Sequence, residues 1–286
     1  LKNGLKLEQQ LGVNPYKFGV IGSTDSHTAL ATAEESNFFG KHSGVEPDAE
    51  RLSRAIGTLG DAHYMSWEAL ASGYAAVWAY ENTREAIFDA MKRREVYATT
   101  GPRITLRFFG GWDFVADDAD SSALAENGYS RGVPMGGELA SAGERVPKFL
   151  ISATKDPLSG NLDRLQVIKG WLDGQGRTQE RVYDVQWSDK SRRQPNAQGK
   201  LPAVGNTVDV TTATWSNSIG AQQLSTVWRD PDFDPKQKAF YYVRVLEIPT
   251  PRWITYDAVR YNLEVSEKYP ATIQERAYSS AIWYTP

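Results

Sequence analysis

Asp25 and His27 close the stretch Tyr16-Lys-Phe-Gly-Val-Ile-Gly-Ser-Thr-Asp-Ser-His27. A carboxylate and an imidazole two positions apart can both reach one metal ion, and neither is costly to deprotonate near neutral pH. The competing reading is an Asp that caps a turn beside a surface His. His42 ends a second string, Asn37-Phe-Phe-Gly-Lys-His42, and is a candidate ligand, general acid or substrate contact, or else a solvent-facing His beside Lys41. His63 has no partner at a telling spacing and reads as an ordinary surface residue. Glu34-Glu35 can serve as a base or support a ligand, although adjacent glutamates more often form a solvated face.

Other motifs lead away from chemistry. Asp230-Pro-Asp-Phe-Asp234 looks like the opening of a calcium loop, but its internal Pro and the missing Gly and Glu remove an EF-hand. It reads as a turn. Gly110-Gly111 and Gly136-Gly137 lack the pattern that cradles phosphate, and no Gly-x-Ser-x-Gly elbow occurs. The absence of cysteine excludes disulfides, thiolate zinc sites and a thiol nucleophile, and leaves the compartment open.

The elements that must position Asp25 and His27 follow from pattern. Phe18, Val20 and Ile21 lie between Pro15 and Gly22 and read as a short buried strand, with the polar loop at its carboxyl end. Barrel and α/β enzymes place their chemistry at that end of a strand. Upstream, Leu1, Leu5, Leu7 and Leu11 suggest the tail of a helix stopped by Gly12, and from this a larger polypeptide is expected to precede Leu1. Pro47 and Asp48 are expected to open a helix running to Gly57. Asn82 begins the clearest helix, which carries Ile87, Phe88 and Met91 and ends in Lys92-Arg93-Arg94. A short strand at 96–99 precedes Gly101-Pro102, so residues 1–101 read as part of an α/β unit.

Beyond Gly101 the texture becomes alternating. Residues 148–154, 164–171, 181–187, 222–228 and 239–248 read as half-buried strands separated by turn clusters, the pattern of an antiparallel sandwich. Residues 117–143 and 188–205, rich in Gly, Ser, Asp and Pro, read as long loops. The 9 Trp, 14 Tyr and 10 Phe favour a sheet-rich fold. Hydrophobic residues at 41% and charged residues at 23% are the proportions of a folded globular chain. A net charge of -3 without a basic stripe argues against nucleic acid as a partner, and no apolar run approaches the roughly 18 residues of a membrane span.

The string from Phe18 to His27 resembles the last metal-binding motif of the PHP (polymerase and histidinol phosphatase) superfamily. More closely, the chain resembles the DUF3604 family of PHP-like proteins, through Asn37-Phe-Phe-Gly-Lys-His42, Glu81-Asn-Thr-Arg-Glu85, Arg94-Glu-Val-Tyr-Ala-Thr-Thr-Gly-Pro-Arg103, Phe240-Tyr-Tyr-Val-Arg-Val-Leu-Glu-Ile-Pro-Thr-Pro-Arg-Trp253 and Gln274-Glu-Arg-Ala-Tyr-Ser-Ser-Ala-Ile-Trp-Tyr284. The resemblance implies a metal-dependent, phosphoesterase-like hydrolase on a distorted (β/α)7 barrel. By that resemblance Asp25 and His27 would be ligands of a cluster of divalent ions (Zn, Mn or Fe). On the same reading His42 is a candidate acid or substrate contact, and Arg252, in the turn Pro249-Thr-Pro-Arg-Trp253, would reach a small anionic substrate if the β domain folds over the barrel mouth, or else pack or pair at the domain interface.

The family's earlier ligands begin with a His-x-His motif, which this chain lacks among its 3 histidines. The expectation is therefore an α/β plus β protein. Residues 1–101 would be the C-terminal part of a PHP-like barrel and residues 102–286 a mainly antiparallel, sandwich-like β domain. An N-terminal segment of the same protein would be the missing partner, and the metal site of residues 1–286 would be incomplete and inactive alone. An exported or periplasmic location is what bacterial members of the family suggest. The alternative is a non-catalytic β-rich module that binds a glycan or polymer.

Overall fold

A computed structural model describes residues 1–30, 33–71 and 73–286. The chain opens with helix α1 (Lys2–Leu11), whose Leu5 is buried against Leu172, Phe240 and Trp283. A hairpin follows, β1 (Ala55–Leu59) and β2 (Ala62–Met65), then β3 (Tyr74–Val77), α2 (Arg84–Lys92), β4 (Val96–Thr99) and β5 (Thr105–Gly111). Next come α3 (Leu124–Arg131), β6 (Gly132–Pro134), β7 (Glu138–Ala140), β8 (Lys148–Thr154), β9 (Leu162–Leu172), β10 (Thr178–Trp187) and β11 (Gln223–Arg229). The chain ends with β12 (Ala239–Pro251), α4 (Trp253–Tyr261), β13 (Thr272–Ser279) and β14 (Ile282–Thr285).

The five runs whose alternation predicts strands beyond residue 101 are β8 to β12. Two sheets take them up. One has the order β10-β9-β12-β13-β4-β3, with β14 beside β12 and β7; the other has the order β11-β8-β5-β6. Facing side chains from both sheets make one core: Leu106, Phe108, Phe149 and Ile151 meet Leu165, Val167, Tyr241, Val243 and Val245. Two antiparallel sheets with a shared interior give the layered arrangement that period-2 alternation requires. Strands from both sides of residue 101 lie in the larger sheet, because Ala277 to Ser279 of β13 pair with Tyr97 to Thr99 of β4.

In β9, Gly170 stands opposite Phe240 of β12. A Cβ at Gly170 would lie 2.2 Å from the Phe240 ring, so the ring covers the space a side chain would take. Gly170→Ala is expected to destabilise the protein by about 1–3 kcal/mol through overpacking. Urea denaturation of the two proteins checks this, and equal midpoints would show that the ring moves aside freely.

Several expectations for the first half do not hold. Residues 17–26 join no ladder, and Phe18 and Ile21 are 47% and 54% exposed, so the apolar run is not a buried strand. The helix expected from Pro47 to Gly57 shrinks to a 3-10 turn at Arg51–Ser53, after which residues 55–59 pair with 62–65. Gly60, with φ 60°, heads the two-residue turn that makes this hairpin. Thr83 rather than Asn82 caps α2, its Oγ1 accepting from the Ala86 N–H at 3.3 Å. The expected loop at 117–143 holds α3, β6 and β7. A (β/α) barrel segment is not shown: among the described residues, β14 with β7 is the one parallel pair of strands, and β3 and β4 pair antiparallel.

Candidate functional site

Backbone contacts to the rest of the fold hold the loop that carries Asp25 and His27. Gly22 packs on the carbonyl of Thr99 at the end of β4, where a Cβ would stand 2.6 Å from that oxygen; the glycine ending the apolar run is thus a close backbone approach. The Gly73 N–H donates to the Ser23 carbonyl at 3.0 Å, and the His27 N–H donates to the Lys41 carbonyl at 2.7 Å. Lys41 Nζ donates to the carbonyls of Thr24 and Ala71 at 2.9 and 3.0 Å. Burial pushes the Lys41 ammonium down, against the opposing pull of Asp25 and Glu35. Asp25 itself has φ 49°, a left-handed conformation that short polar side chains tolerate.

This frame leaves the two side chains outside, with His27 and Asp25 at 71% and 77% exposure and Asp25 Oδ1 3.5 Å from His27 Nε2. Two donors each about 2.0–2.2 Å from one ion at a tetrahedral angle are separated by about 3.3–3.6 Å. The pair fits two positions of a coordination shell, and equally an exposed carboxylate–imidazole contact. Among the described residues, no group of three His, Asp or Glu is placed to hold a metal. Two donors are therefore what these residues offer a divalent ion.

His42 is differently engaged. Its Nδ1 accepts from the Gly44 N–H at 3.1 Å and its Nε2 lies 3.2 Å from the Ile56 carbonyl. This contact set calls for a proton on Nε2, and both ring nitrogens serve the loop. His63, on the exposed hairpin, places Nδ1 3.2 Å from Thr58 Oγ1. Arg252 is 4% exposed at the start of α4 and donates from Nη2 to the Ala69 carbonyl at 2.8 Å. Its Nε is buried with no partner among the described residues.

The most perturbed groups were not among the residues singled out by spacing. Glu275 of β13 and Glu247 of β12 are buried, and burial pushes each carboxyl up to about 8. Glu35 is raised by burial too, against the Trp253 N–H that donates to its Oε2. The adjacent Glu34 is exposed, so the Glu-Glu pair divides between interior and surface. Glu35 and Glu275 line a cavity of about 170 Å³ together with Tyr74, Arg103 and Tyr256. The sequence does carry a signal for two of these: Val243, Val245 and Glu247 share one strand face, as do Glu275, Ala277 and Ser279. Continuing each apolar alternation by one step places both carboxyls inside.

No curated protein and no solved structure matches the chain. A family model described as a protein of unknown function, DUF3604, matches residues 1–286, and the chain belongs to that family.

Proposed function

We propose that the chain supplies the final two ligands, Asp25 and His27, of a metal-dependent hydrolase acting on phosphoesters, with the remaining ligands on an N-terminal segment of the same protein. The observation that carries this reading is the spacing of the two donors on an exposed loop anchored through Ser23, Thr24 and His27. Phe18, Ile21 and Leu30, which flank that loop in sequence, are exposed, and exposed apolar side chains next to a half-formed site suit a surface that another segment covers. Bound zinc, manganese or iron would lower the pKa of a coordinated water and polarise the phosphoryl oxygen. Asp25 and His27 would hold that ion. His42 can transfer a proton only after releasing Gly44 or Ile56, which makes it secondary to the pair.

The test compares metal content and phosphoester hydrolysis of the full-length protein with those of its Asp25→Ala variant. Loss of one direct ligand is expected to lower metal affinity at least about tenfold and hydrolysis about a hundredfold. Undiminished hydrolysis by the variant would remove Asp25 from the site. Residues 1–286 alone are expected to bind zinc weakly and to turn nothing over.

A further inference from the structure

The cavity beside Glu35 and Glu275 has walls that the metal reading does not use. Three aromatic side chains line its volume of about 170 Å³: Tyr74 from β3, Tyr256 from α4, and Trp215 from the long connection between β10 and β11. Each is partly buried, and among the described residues no ring contact joins them, so their faces stand apart around the space. Trp215 belongs to none of the apolar clusters of the core. Among the described residues, its indole N–H and the hydroxyls of Tyr74 and Tyr256 have no hydrogen-bond partner, and none of these three atoms is one that the fold closes off from solvent. Tyr and Trp with an inward-facing body usually find a partner for the polar tip. Three such tips around one cavity point to a ligand that supplies the partners.

The polar groups of the walls decide its charge. Arg103 has its guanidinium 5.6 Å from the Tyr74 ring centre and no ion pair among the described residues. Asp156 lines the same cavity and accepts the N–H groups of Arg103 and Leu158 at 2.7 and 2.9 Å, and the exposed Glu34 stands at the rim. Glu275 accepts the Thr100 hydroxyl, and burial pushes its carboxyl up to about 8, so below that pH it is neutral and can donate. A cationic ligand would meet Arg103, and an anionic one Asp156 and Glu34. A neutral ligand that both donates and accepts meets no such conflict. A cavity of about 150 Å³ admits a benzene ring, so this one suits a single ring, with further room at a rim where Leu158 is 85% exposed.

We propose that this cavity binds one pyranose ring of a neutral saccharide, its C–H faces against Trp215, Tyr256 and Tyr74 and its hydroxyls on their polar tips and on Glu275. Aromatic walls with a few polar groups among them match a ring whose faces are apolar and whose edge is hydroxylated. This site requires neither Asp25 nor His27, so it stands or falls apart from the metal reading.

Saturation-transfer NMR titrations in excess chelator test the proposal without any contribution from a metal. The probes are the methyl pyranosides of glucose, galactose, mannose, xylose and N-acetylglucosamine, with cyclohexylamine and cyclohexanecarboxylate as charged rings of similar size. At least one pyranoside is expected to bind saturably, and at least about tenfold more tightly than either charged ring. Trp215→Ala removes a side chain outside the core clusters and is expected to weaken that pyranoside about tenfold or more. Tyr256→Phe keeps the ring and removes one hydroxyl, and is expected to weaken it about threefold or more while the near-ultraviolet circular dichroism stays native. No binding of any of the five pyranosides would overturn the proposal, as would tighter binding of a charged ring or pyranoside binding that neither variant weakens.

Discussion

Arg51→Ala is expected to destabilise the protein by about 3–5 kcal/mol, the loss typical of breaking a buried ion pair from one side. Arg51 and Asp257 both have side chains 2% exposed, with Arg51 Nε 2.5 Å from Asp257 Oδ2. Nη1 donates to the Phe38 carbonyl at 3.0 Å, and the guanidinium lies 4.4 Å from the Trp253 ring centre and 5.4 Å from that of Phe38. One side chain therefore joins the loop before Lys41 to α4 by charge, hydrogen bond and ring contact. Alanine would leave Asp257 buried with only Arg260, 3.7 Å away from its other oxygen and half-exposed.

Urea denaturation of Arg51→Ala, Asp257→Ala and the double variant checks this. The double variant should lose less than the sum of the singles, because no uncompensated charge remains. A loss below about 1 kcal/mol in Arg51→Ala would mean that the pair merely decorates the fold. Because Phe38 leads through Lys41 to the His27 backbone, the same variant should also speed amide exchange at His27. This links the stability of a distant ion pair to the position of the candidate metal ligands.

What could be read from the residues differs between the two halves for a physical reason. In β12 the alternation reports which side chains face the core, with Tyr241, Val243 and Val245 buried and Tyr242, Arg244 and Leu246 only partly so, whereas β9 is buried along almost all of its length. Phe18, Val20 and Ile21 carry the same kind of signal without the same outcome, since hydrophobicity records a preference for burial and not the presence of a covering surface. The hairpin at 55–65 was hidden by an apparent helix start at Pro47-Asp48; the Gly60-Asp61 turn decides the local structure instead. The contact between β4 and β13 joins residues 97–99 to 277–279, a separation that no local pattern encodes. At the candidate site, residue type and spacing single out Asp25 and His27, and the loop geometry brings their donor atoms to 3.5 Å. Arg252 is a candidate substrate contact by sequence, yet its donation to the Ala69 carbonyl, 183 residues away, is a contact that no local pattern encodes. Glu247 and Glu275 carry no motif and charge usually means surface, but here alternation outweighs that rule.

Those two carboxyls make stability depend on pH in an uncommon direction. Glu247 is fully buried, its Oε2 accepts the Ser159 hydroxyl at 2.6 Å, and its Oε1 has no partner among the described residues. Glu275 lies beneath Thr100, and the charges of Glu35 and Glu247 further oppose its ionisation. Arg252, near Glu35 and Glu275, requires a counter-charge. Glu35 is best placed to provide it, since the Trp253 and Ala71 N–H groups stabilise its anion. Glu247 and Glu275 then keep their protons. With carboxyls that titrate near 4.5 when exposed and about 8 when folded, the folded state holds protons that the unfolded state releases. Between these limits stability falls as pH rises, by at most about 1.4 kcal/mol per pH unit for each group. Above about pH 8 both states are ionised and the dependence flattens. Urea denaturation at intervals from pH 5.5 to 8.5 is therefore expected to show a loss of several kcal/mol, while the Glu247→Gln, Glu275→Gln double variant, neutral at every pH, should lose far less. Stability that is constant or rising from pH 5.5 to 8 would mean that these carboxyls are ionised in the fold, and would require cations to be found for both.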